Sequence, residues 1–131
     1  MKNLALVVLR CGLGIIFTGH GMQKAFGWFG GPGVAGVEKF LNILGFSPVA
    51  FWAYCMIFVE LAGGVCLILG VFPRISAALI SILMIVAVLK VHLAKGFFMQ
   101  SGGFEYNFLI VSVCLALILM GGGKYSLFNK Y

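Results

Sequence analysis

One carboxylate, Glu60, stands in the middle of an otherwise apolar run, VAFWAYCMIFVELAGGVCLILGVF, from Val49 to Phe72. Placing an acid at the centre of a membrane span costs at least ~2.5 kcal/mol, so such a group faces protein, has a partner, and is a candidate for proton exchange. Trp52 and Met56 precede it on the same helical face, and Gly63, Gly64 and Leu67 follow it. The paired glycines let a neighbouring backbone come close. The first apolar run offers a partner: Arg10, Phe17 and Lys24 recur at heptad spacing beside Gly14 and Gly21, so that face is expected to turn inward. At a rise of ~1.5 Å per residue, Arg10 lies ~9 Å and Glu60 ~15 Å from the end that carries the termini, a gap an arginine can cross. The expectation is an Arg10–Glu60 pair, acting either as a static clasp between two helices or as part of a substrate cavity.

A second group gathers toward the opposite end. His20 and Lys24 close the first span, Lys90 and His92 the third, and Glu105 opens the fourth. The two histidines sit ~24 Å and ~27 Å from the terminal side. Three readings stand for this group: solvated helix ends, a polar pocket for a quinone headgroup or another redox substrate, or metal ligation. In the last, His20, His92 and Glu105 would supply the two histidines and one carboxylate of non-haem iron, or the histidines would face each other across a haem. No spacing distinguishes them. The cysteines Cys11, Cys55, Cys66 and Cys114 show no C-x-x-C and sit inside apolar runs, where a thiol behaves as a small hydrophobe. That argues against a thiol–disulfide mechanism.

The elements that must position these groups follow from composition. Of 131 residues, 63% are hydrophobic and 9% charged, more apolar surface than a soluble domain of this size can hide. The net charge of +6 comes from scattered basic residues rather than a patch, which excludes a nucleic-acid footprint and suits helix ends near lipid phosphates. The chain is therefore expected to be an all-α membrane protein and a single domain over residues 1–131. Its architecture is expected to be a four-transmembrane-helix bundle, with spans at about 4–26, 49–70, 75–93 and 104–120. A short amphipathic segment, 34–44, lies between the first two and is too short to span, so it reads as an interfacial helix. Arg10 interrupts what would otherwise be a signal-peptide core, so the first span reads as retained. Four spans place both termini on one side with Lys2, Arg74, Lys124 and Lys130. Lys24, Lys39, Lys90, Lys95 and Glu38 lie on the other, and Arg10 tips the balance toward cytoplasmic termini.

Arg10 with G-x-x-F-x-x-x-G (Gly14–Gly21) and Lys24, E-L-A-G-G (Glu60–Gly64) and G-V-F-P-R (Gly70–Arg74) with Ala77 occur in order along the chain. K-x-H-x-x-x-G-F-F (Lys90–Phe98), G-F-E-Y (Gly103–Tyr106) and G-G-G-K-Y-S-L (Gly121–Leu127) follow them. In this order and spacing the chain resembles the DoxX family of small four-helix membrane proteins. It departs where family members often carry an aspartate after the terminal S-L; Phe128 stands there. The family is named after a subunit of a terminal quinol oxidase, and a related protein is associated with thiosulfate:quinone oxidoreduction. The resemblance implies quinone-linked redox chemistry in the bacterial cytoplasmic membrane, within the bilayer and alongside a redox partner protein or further copies of the chain. A quinone site needs titratable hydrogen-bonding groups, for which Arg10, Glu60, His92 and Glu105 are the candidates. It also needs cofactor-binding walls, for which Phe17, Lys24, Trp52, Phe97, Phe98 and Tyr106 are the candidates. Haem or non-haem iron is the alternative cofactor. A non-catalytic scaffold for a soluble redox enzyme, and a small transporter subunit working as an oligomer, are the rival functions.

Overall fold

The computed structural model describes residues 1–129; Lys130, assigned above to the terminal side, lies outside them. The described chain forms five α-helices: α1 (Lys2–Phe26), α2 (Gly33–Ile43), α3 (Val49–Leu69), α4 (Pro73–Ala87) and α5 (Glu105–Met120). No strand appears among the described residues. Three helical stretches are long and apolar enough to cross a membrane: Lys2–Phe26, Val49–Leu69 and Pro73–Lys95. They mark a multi-pass membrane protein. α5 is apolar but shorter, at 16 residues.

The ends of these elements follow their sequence. Gly27 and Gly70, both in the left-handed region at φ 70 and 73, stop α1 and α3, a backbone that glycine takes without steric cost. Pro73 opens α4, where its missing N–H removes no helical bond. The third span departs from a regular helix over 75–93. After Ala87 it loosens into one π turn, Val88–His92, and a 3-10 turn, Leu93–Lys95. The wider turn changes which side chains share a face, and it places Val91 and His92 with Ala87 along one cavity.

α1 and α3 make the most intimate contact in the molecule, and small residues set it. A Cβ on Gly14 would lie 2.6 Å from the Gly64 carbonyl oxygen, one on Gly64 would lie 2.5 Å from the Thr18 amide nitrogen, and one on Gly21 would lie 2.7 Å from the Leu61 backbone. These contacts fix an antiparallel register in which the two helices are offset. At the terminal end α1 runs past the end of α3, and the C-terminal segment fills the step: Leu127 N–H and Phe128 N–H donate to the carbonyls of Leu69 and Gly70 at 3.3 and 2.9 Å. At the other end α3 runs past α1, and α2 fills that step, packing Val37 and Leu41 on Ala53. The main core joins the middle of the helices through Leu13, Phe17, Leu67, Ile80, Ile110, Cys114 and Leu117. α4 pairs closely with α5, whereas α1 and α5 touch only sparingly.

Candidate functional site

The register decides the fate of both buried charges. Because Gly14 meets Gly64 and Gly21 meets Leu61, Glu60 comes level with Lys24 near the end of α1. Lys24 Nζ donates to Glu60 Oε1 at 2.5 Å, the one salt bridge among the described residues. Glu60 is 3% exposed, and its other oxygen, Oε2, is buried without a hydrogen-bond partner. The expected Arg10–Glu60 pair is therefore wrong. The depth argument placed the ends of both helices on one plane, and the glycine contacts shift them by about two turns.

Arg10 instead reaches the C-terminal segment. Its Nη1 donates to Ser126 Oγ at 2.7 Å and its Nη2 to the Tyr125 carbonyl at 3.1 Å. Gly70 makes room: a Cβ there would collide with Arg10 Nη1. The guanidinium also sits beside the last turn of α3, where the helix dipole favours a cation. Arg10 borders none of the cavities described below.

Glu60 and Lys24 border a cavity of about 560 Å³, a volume suited to a small organic ligand. Ile16, Phe17 and His20 of α1 form one wall, and Tyr106, Asn107 and Ile110 of α5 form the opposite one. α4 and its π turn supply Leu83, Met84, Ala87, Val91 and His92. Met56 of α3, Pro32, Gly36, Val37 and Phe40 of the α2 region, and Met99 of the following loop complete it. His92 Nδ1 lies 2.8 Å from the Gly102 carbonyl oxygen. A carbonyl only accepts, so Nδ1 carries the proton, and in the neutral ring Nε2 is left as an acceptor.

Other candidates fall outside. Glu105 lies on a separate groove with Phe97, Met99, Tyr106 and Phe108, and its Oε2 accepts the Met99 N–H at 3.0 Å. It holds a loop rather than facing Glu60. Trp52 donates its ring N–H to the Ser47 carbonyl at 3.3 Å and packs edge-on against Phe46 and Phe51. The turn between α2 and α3 occupies its level, so the cavity ends at Met56. Phe97 packs with Phe98, Phe104 and Phe108, away from the cavity. His20 and His92 do share the cavity, yet with Glu105 turned to the loop the trio of the alternative iron-binding reading is not assembled. No three His, Cys, Asp or Glu side chains gather as a metal site among the described residues. All four cysteines are free thiols.

The DoxX family model matches residues 5–93, a stretch that contains Arg10, Lys24, Glu60 and His92. The chain belongs to the DoxX family. It is also 34% identical over 115 residues to a Bacillus subtilis (strain 168) protein named "Putative oxidoreductase CatD", covering 88% of this chain and 79% of that one. No solved structure matches.

Sequence reasoning missed Asn107, a cavity residue that lies beyond the matched stretch. It is 5% exposed, and its Nδ2 donates to Met84 Sδ at 3.5 Å. The signal was there: an amide inside an apolar run, three and seven residues before the buried Ile110 and Cys114 and so on their inward face. Met56, Met84 and Met99 were also overlooked as walls, because methionine reads as ordinary core filling.

Proposed function

We propose that this DoxX protein is a quinone-linked membrane oxidoreductase subunit, and that the cavity bordered by Lys24 and Glu60 holds the headgroup. The observation that carries this reading is Glu60: a carboxylate 3% exposed, tied to Lys24 through one oxygen, with the other oxygen unpartnered beside an apolar cavity. A quinone takes up two protons with two electrons, so its site needs a titratable group next to apolar walls. Phe17, Ile110, Met56, Met84 and Tyr106 provide the walls. Glu60 and Lys24 provide proton-exchanging and hydrogen-bonding groups, with His20 exposed on the same cavity as a route toward water. Phe17, Lys24, Glu60, His92 and Tyr106 remain assigned to the site, joined by Asn107. Arg10, Glu105, Trp52 and Phe97 take structural roles. The electrons come from a redox partner protein.

The same reading makes α5 the fourth span. Its 16 residues rise ~24 Å, a modest shortfall that a bilayer accommodates by thinning. It also returns the chain to the terminal end, where Lys124 N–H donates to Asn3 Oδ1 at 3.1 Å. In a bacterial cytoplasmic membrane this end, with Lys2, Arg10, Arg74 and Lys124, faces the cytoplasm.

Purification in mild detergent followed by organic extraction tests the proposal. Quinone and quinol together near one equivalent from the wild type, and little from the double variant Lys24→Met/Glu60→Leu, is the expected result. Absence of quinone from both proteins contradicts it and favours a scaffold for a soluble enzyme.

A further inference from the structure

Two groups on the cavity have an unmet demand of the same kind. Glu60 Oε1 accepts a hydrogen bond from Lys24 Nζ, and Oε2 accepts none; an ionised carboxylate accepts hydrogen bonds and donates none. His92 commits its Nδ1 proton to the Gly102 carbonyl at 2.8 Å, which leaves Nε2 as an acceptor with no protein donor among the described residues. Both residues border the same cavity, on α3 and on the π turn that continues α4. Donors border the cavity as well. Asn107 Nδ2 is engaged by Met84 Sδ. Lys24 donates one N–H to Glu60, and its side chain, 24% exposed, can direct the others to water or lipid phosphate at the helix end. Tyr106 O–H and the second Asn107 N–H also face this lining, and a ligand hydroxyl can accept from such donors while donating to Glu60 Oε2 and His92 Nε2, which a carbonyl cannot do.

Resting on the quinone-linked reading, we infer that the site binds the reduced, dihydroxy form of the headgroup in preference to the oxidised, dicarbonyl form, through O–H donation to Glu60 Oε2 and to His92 Nε2. The two forms share nearly the same ring and substituents, so the apolar walls contribute equally to both. What differs is hydrogen-bond polarity. A quinol donates at each oxygen. A quinone presents two acceptors, one of them to a carboxylate oxygen that stays unpaired and repels it. A hydrogen bond to a charged group, set against a buried acceptor left unmet, is large enough to separate the two forms by at least about tenfold in affinity.

The test uses the full chain in detergent with a short-chain naphthoquinone and its dithionite-reduced naphthoquinol as probes, titrated anaerobically by tryptophan fluorescence or calorimetry. The expected result is a quinol Kd at least about tenfold below the quinone Kd. Equivalently, the midpoint potential of the bound couple rises by about 30 mV for each tenfold preference. Glu60→Gln offers an amide N–H where the acceptor was and should erase or reverse the preference. His92→Leu, on the π turn that follows α4 and outside the helix core, should weaken it several-fold even where Glu60→Gln is too unstable to purify. Trp52→Phe should leave it unchanged. Equal affinities, or tighter quinone binding by the wild type, overturn the inference while leaving the quinone-linked reading in place. Failure of both forms to bind overturns both.

Discussion

Arg10 and Glu60 are equally buried, each 3% exposed, and each keeps one atom without a hydrogen-bond partner, Nε and Oε2 respectively. They sit at opposite ends of the same α1–α3 contact, and their surroundings differ. Arg10 is enclosed by its own chain: Ser126, the Tyr125 carbonyl, Gly70 and the last turn of α3. Glu60 has protein on one side, through Lys24, and a cavity of about 560 Å³ on the other. A buried charge in a span therefore does not by itself mark a site. Arg10 fastens the C-terminal segment over the step left by α3, whereas Glu60 faces space that the chain does not fill.

This contrast can be broken at either end. The largest effect is expected from removing one member of the ion pair. Lys24→Met leaves the buried Glu60 charge alone and should cost about 3–5 kcal/mol, seen as a drop in thermal stability in detergent, whereas Glu60→Leu leaves a Lys24 that is 24% exposed and should cost less. The double variant Lys24→Met/Glu60→Leu should recover most of that loss, because apolar side chains in place of a buried pair are often neutral or better. If each single change is harmless, Lys24 is not Glu60's partner. Next comes Gly64→Val. Its Cβ would press on the Thr18 backbone, and overpacking of this kind costs about 1–3 kcal/mol or more. This variant should disturb both ends together, lowering ligand occupancy and loosening the C-terminal segment in hydrogen exchange. An effect on one end alone would show that register does not link them.

Arg10→Met should cost about 2 kcal/mol through its lost charged hydrogen bonds. It should raise proteolysis or amide exchange over residues 121–129 and leave ligand binding intact. A loss of ligand without a change in the C-terminal segment would return Arg10 to the site. The smallest effect belongs to Trp52→Phe, within about 0.5 kcal/mol and without effect on the cavity.

The sequence made the helices legible because apolar run length and glycine punctuation are local signals. Gly27 and Gly70 end helices where the pattern placed the boundaries, and Pro73 opens the third span two residues before its expected start. The inward face of α1 was equally plain, since Arg10, Phe17 and Gly14 repeat with the helical period. Partner choice was not legible. It depends on the axial offset between α1 and α3, which is set by which glycine meets which backbone: Gly14 on Gly64 and Gly21 on Leu61. Several offsets keep the same faces in contact, and one turn changes every charge pairing. Glu105 and Trp52 were misplaced for a related reason. Their helical faces suited a cavity, but loop contacts to Met99 N–H and the Ser47 carbonyl claimed them. Asn107 was readable, as a lone amide on the buried face of α5.

The central claim is that the Lys24–Glu60 pair lines a ligand site rather than serving only to join two helices. The most direct test is quinone content in the double variant Lys24→Met/Glu60→Leu, purified beside the wild type after its fold is confirmed by circular dichroism and thermal melting. A stably folded double variant that has lost its quinone, next to a wild type that retains about one equivalent, is the predicted result. Equal quinone in the two proteins would contradict the claim and leave the pair as a structural tie.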